Sequence, residues 1–105
     1  MGRYLIRIEC PEERFIDWST ITDSPVSYGM TEAELVDWTR FQYGEVGVTE
    51  LPWRLERCRA NGTSAHNEAS AESVIVANRA GPGETELSMG EIVAAYGKPP
   101  RDATP

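Results

Sequence analysis

A chain of 105 residues has room for one compact domain, able to bury roughly two thirds of its unfolded surface without metals or disulfides. With 40% hydrophobic and 26% charged residues it is composed like an ordinary globular protein, which argues against wholesale disorder. A formal net charge of −7 repels phosphate backbones and anionic lipid, so neither direct nucleic-acid binding nor membrane attachment is expected.

Tyr4 to Cys10 alternates, with Tyr4, Ile6, Ile8 and Cys10 on one face and Leu5, Arg7 and Glu9 on the other, as a half-buried strand does. Pro11-Glu12-Glu13 breaks it. Arg14 to Thr22, rich in aromatic and β-branched residues, is the expected antiparallel partner, with Ile16, Trp18 and Thr20 sharing a face. Asp23-Ser24-Pro25 carries turn chemistry, and Val26 to Tyr28 is a candidate third strand.

Thr31-Glu32-Ala33-Glu34 is a capping box that opens a helix over about 32–43, ended by Gly44. Leu35, Val36, Trp38, Phe41 and Tyr43 form an apolar stripe wider than one neighbour needs, which predicts a central helix packed on the sheet and on another helix. Thr49 is the expected cap of a second helix, with Pro52 in its first turn, Leu51, Leu55 and Cys58 on its buried line, and Asn61-Gly62 as its stop. The polar stretch 63–69 is predicted as a surface loop, and Ser70 caps a third short helix to about Ala80, before Gly81-Pro82-Gly83. Ser88 and Glu91 form a second capping box, opening a last helix that presents Met89, Ile92, Val93 and Tyr96 on one face and ends at Gly97. The expected architecture is a single α+β domain over 1–97, in which an antiparallel hairpin or three-stranded sheet packs against about four short helices covering one side, with a Pro-rich tail over 98–105.

Groups suited to catalysis are thin. His66 is the lone histidine and falls in the polar loop, and no segment resembles a nucleophile elbow. Cys10 and Cys58 are too far apart and too few for a metal knuckle or a disulfide framework, and read as small buried hydrophobes; no cofactor and no metal are expected. The pairs Glu12–Glu13, Glu32–Glu34 and Glu84–Glu86 could each serve as a carboxylate pair for acid–base work, but the first two occupy a turn and a helix start, where solvated acids belong. Gly81-Pro82-Gly83 follows a helix, whereas a phosphate-cradling loop precedes one. Arg3, Arg7 and Glu9 interrupt the run that a secretory leader would need, so a cytoplasmic address is expected, and the Val74–Ala77 quartet is far too short to span a bilayer.

Aromatics carry the remaining signal. Six of the nine fall between Phe15 and Tyr43. Trp18, Trp38 and Trp53 are most simply core residues, yet three Trp and four Tyr in a chain this short leave some for the surface, where aromatics beside Arg act as interface anchors. The residues expected to touch a protein partner are Asp23, Ser24 and Tyr28 on the strand-to-helix segment, together with Trp53, Arg54 and Arg57 on the second helix.

Trp18 to Val26, Gly29-Met30-Thr31, Gly62-Thr63-Ser64, Asn78 to Gly81 and Glu91 to Tyr96 together resemble small accessory proteins of actinobacterial phages and prophages. The resemblance spans nearly the whole chain and transfers no functional residue. It implies a non-enzymatic role inside a bacterial host cell, through contact with a host or competing-phage protein. Two alternatives stand beside it: a minor virion or assembly protein, and an acidic DNA mimic that occupies a nucleic-acid-binding protein. Against the mimic, the acids are interleaved with Arg54, Arg57 and Arg59.

Overall fold

The computed structural model describes residues 3–9, 12–64 and 70–98, so Cys10, His66 and the tail beyond Lys98 lie outside the described residues. Strands β1 (Arg3–Glu9) and β2 (Glu13–Ser19) form the expected antiparallel hairpin, with Ile6 opposite Ile16 and Tyr4 opposite Trp18. A two-residue strand, β3 (Ser24–Pro25), pairs with the end of β2 and completes a sheet of order β1-β2-β3.

This third strand comes earlier than the expected 26–28. The reversal is made by residues 20–23, where Ser19 Oγ accepts the backbone N–H groups of Ile21 and Thr22 and Asp23 takes φ 53°. Asp and Asn tolerate that left-handed conformation better than most residues, so Asp23 makes the turn and Ser24-Pro25 are released to pair.

Helix α1 spans Glu32–Asn61, α2 Ala71–Ile75 and α3 Met89–Tyr96, with a 3-10 turn at Pro82–Glu84. There are thus three helices among the described residues rather than about four. The two expected over 32–43 and from Thr49 onward run on as one element, bent at Gly44, whose φ 71° and ψ −163° lie in a region open essentially to glycine alone. Thr49 is not a cap: its hydroxyl donates to the Glu45 carbonyl one turn back, and Pro52 sits well inside the helix. The third expected helix stops at Ile75 instead of Ala80, because Ala77 turns to φ 56° and the buried Asn78 takes over the backbone. Asn78 Nδ2 donates to Ile75 O and Leu87 O, while Oδ1 accepts from Ala80 N and Leu87 N, which uses all four hydrogen-bonding positions of the carboxamide.

Helices cover both faces of the sheet, not one. On one face Leu5 and Phe15 pack with Leu35, Leu51, Leu55 and Cys58 of α1. On the other, Ile6, Ile8, Ile16 and Trp18 meet Ala71, Ile75 and Ile92. Strand β2 is buried from Phe15 through Ser19, so alternation in β1 separates two cores rather than a core from solvent. The outer edge of β1 is occupied as well: Arg7 N donates to Gly62 O, Ser64 N to Leu5 O, and Ile6 bridges to Thr63.

Candidate interaction surface

The buried line of α1 after the bend is Leu51, Leu55 and Cys58, spaced by four and three residues and turned onto β1. Burial pushes the Cys58 thiol up to about 12, which makes it an inert core group. One helical stripe over from this line stand Val46, Glu50, Trp53, Arg54 and Arg57. Trp53 is 60% exposed and Val46 72%, and, unlike the more exposed Ile21 and Phe41, they border hollows lined by Arg side chains.

Two adjoining hollows lie between this stripe and β1. One, of about 430 Å³, is lined by Arg3, Tyr4, Trp53 and Arg57; the other, of about 290 Å³, by Tyr43, Val46 and Gly47; both share Arg3, Glu50 and Arg54. Three guanidiniums therefore converge on an aromatic and aliphatic wall, on a chain whose overall charge is negative. Each sits differently. Arg3 Nη1 lies 3.1 Å from Asp17 Oδ2, and that buried carboxylate oxygen also accepts from Trp38 Nε1 at 2.9 Å. Arg57 Nε donates to the Ser64 carbonyl at 3.0 Å, which holds its side chain along the surface. Neither Arg54 nor Arg57 has a carboxylate within 4.0 Å among the described residues, so both charges are less compensated than that of Arg3.

Of the six residues expected to touch a partner, Trp53, Arg54 and Arg57 are thus brought together. Tyr28 lies in a separate groove with Trp38 and Tyr96, which shares no lining residue with the two hollows. The backbones of Asp23 and Ser24 serve the fold, since Asp23 O accepts the Arg79 N–H and Ser24 pairs with Ser19, while both residues stay partly exposed and the Ser24 hydroxyl lies 2.9 Å from that of Thr22. Arg3, Tyr4, Val46 and Glu50 were missed as surface partners of Trp53. The helical spacing 46, 50, 53, 57 after Gly44 carries the signal for Val46 and Glu50, whereas Arg3 and Tyr4 come from β1 and depend on tertiary packing.

Both members of the Glu32–Glu34 pair, and one member each of the other two pairs, hold structural places. Glu13 is drawn down to about 2, first by hydrogen bonds from Arg59 and then by those from Arg7, so it stays ionised across the ordinary pH range. Glu32 pairs with the same Arg59, Glu34 completes the capping box with Thr31, and Glu86 accepts the Ala77 N–H. Among the described residues no group of three His, Cys, Asp or Glu side chains is placed to hold a metal ion, and no helix is long and apolar enough to cross a membrane. No family model matches the chain, and no match to it was found among curated proteins or solved structures.

Proposed function

We propose that this chain is a non-enzymatic interaction protein of the phage accessory kind, and that it grips a protein of the host cell or of a competing phage through the Arg-flanked face of α1. The observation that carries this reading is Trp53, well exposed and standing beside Arg54 and Arg57 with Arg3 across the hollow. Trp and Arg are the side chains most often found to dominate binding energy when they sit together in a pocketed surface. Trp53 and Arg54 make no side-chain hydrogen bond or ion pair among the described residues, so contact accounts for their placement better than stability does, whereas Arg3 and Arg57 also serve the fold through Asp17 and Ser64.

The chemistry of the hollows defines the partner. An apolar or aromatic side chain fits between Tyr4, Tyr43 and Trp53, and carboxylates beside it meet Arg3, Arg54 and Arg57. The partner segment is accordingly acidic with an apolar anchor. Glu50, in the middle of the stripe, faces the same space and disfavours a phosphate-rich polymer, whose charges would crowd it.

Affinity capture from an actinobacterial host tests this reading with three baits: the native chain, Trp53→Ala and Arg54→Glu. A protein retained by the native chain and lost by both variants, all three being folded by circular dichroism, is the expected result. Retention of the same proteins by all three baits would remove this face from the function.

A further inference from the structure

A second groove, sharing no lining residue with the hollows around Trp53, lies where the first turns of α1 and the segment leading into them meet the end of α3. It has a volume of about 480 Å³, within the range of small-ligand sites, and its walls are set by Tyr28, Trp38 and Tyr96 with Val26, Met30 and Glu34. The Tyr28 and Tyr96 rings stand 6.0 Å apart, tilted by 33°. The approach of the two segments is enforced by the backbone: Gly29 N donates to Tyr96 O at 2.7 Å, and a Cβ at position 29 would run into the Gly97 carbonyl oxygen.

The donors of this wall are largely spent. Val26 N–H goes to Asp17 O, Gly29 N–H to Tyr96 O and Met30 N–H to Phe15 O. Trp38 Nε1–H goes to Asp17 Oδ2 at 2.9 Å, and the Tyr96 hydroxyl to Ala80 O at 2.9 Å. The indole and the Tyr96 phenol therefore have their polar hydrogens directed to internal acceptors, leaving ring surface for the groove. The side-chain donors that remain, the Tyr28 phenol and the Ser27 hydroxyl, are acceptors as well. Glu34 adds a carboxylate at the rim. Its Oε1 takes the Thr31 N–H at 2.8 Å and lies 3.8 Å from Arg14 Nη1, while Oε2 makes no hydrogen bond among the described residues.

Such a wall discriminates by charge. An anion would meet an opposing carboxylate and the negative faces of the rings. A neutral apolar group would gain burial alone. A cation carrying apolar substituents gains burial, attraction to the negative faces of the rings and attraction to Glu34. We propose that this groove binds the quaternary ammonium group of a small organic cation, with Tyr28, Trp38 and Tyr96 as its aromatic walls and Glu34 as its counter-charge.

Choline and its uncharged carbon isostere, 3,3-dimethylbutan-1-ol, separate the contributions when each is titrated into the full chain and followed by calorimetry and by the Trp38 indole N–H resonance. Choline is expected to saturate and to bind at least about tenfold more tightly than the isostere. Glu34→Gln keeps the capping box, because Gln caps as Glu does, and is expected to weaken choline about three- to tenfold. Tyr28→Leu, at a half-exposed position, is expected to weaken it about tenfold, whereas Tyr96→Phe retains the ring and the affinity. Equal binding of choline and the isostere, no saturable shift with either, or undiminished choline binding by folded Tyr28→Leu would each overturn the assignment.

Discussion

Arg59, in the last turn of α1, clasps Glu13 at the start of β2: its Nη2 lies 2.8 Å from Oε1 and its Nε 3.2 Å from Oε2. The same guanidinium covers the Phe15 ring at 5.4 Å from the centroid, and Arg7 Nε reaches Glu13 Oε2 from the neighbouring strand at 2.7 Å. One carboxylate thus ties the end of α1 to both long strands. Its ordinary value near 4.5 falls to about 2 in the folded chain, so its contribution is complete above pH 4.5 and is lost as pH falls toward 2. Because the site is about a third open to solvent, the contribution is screened to about 1 kcal/mol. Urea unfolding of Glu13→Gln should show that deficit at pH 7, and the gap to the native chain should close as pH falls toward about 2.

Gly44→Ala isolates backbone strain. Nothing lies within 4 Å of a Cβ built at this position, so crowding plays no part. The conformation itself excludes a side chain, and the substitution should cost about 1–3 kcal/mol. Thermal unfolding measures it; a loss below about 0.5 kcal/mol would mean that the bend is not needed to seat α1 on the sheet.

Asn78→Ala removes a buried carboxamide that satisfies two carbonyls and two N–H groups in the link from α2 to α3. Stability should fall by about 3 kcal/mol. Asn78→Asp preserves shape and acceptors but turns a carboxylate oxygen toward the Ile75 and Leu87 carbonyls, so it should not rescue. Native-state hydrogen exchange should locate the loss between Ile75 and Ile92, with the α1 amides little changed.

The two tryptophans at 18 and 53 should behave oppositely. Trp18→Ala empties the core beneath α2 and α3 and should cost about 3–5 kcal/mol. Trp53→Ala should change unfolding free energy by no more than about 0.5 kcal/mol. A large stability loss at Trp53 would return it to the fold and weaken its reading as a contact residue.

Local chemistry was the legible part of this chain. The capping boxes at Thr31–Glu34 and Ser88–Glu91 open helices where they were expected, because each is settled by side-chain to backbone hydrogen bonds within four residues. What depended on distant partners was not legible. Leu5 looked like the solvent side of β1, yet it is buried under a helix that starts more than twenty residues later. Asp17 is a charged residue at the centre of a buried strand, and only Arg3 and Trp38 together make that tolerable. Gly44 does interrupt the helix, as its residue type predicts, but helix resumes at once after the bend, which places Trp53 and its Arg neighbours on one stripe with Val46 and Glu50.

The bridge of Ile6 to Thr63 has a consequence for how any partner docks. An outermost strand with open amides invites another chain to extend the sheet, either productively or as the first step of aggregation. Over Leu5 to Arg7 that invitation is withdrawn, since Gly62 and Ser64 already take up the outward-facing groups. Over Leu5 to Arg7 the sheet therefore cannot be extended without displacing residues 62–64, and a partner docking on the proposed Arg3–Trp53 face would be selected there by its side chains.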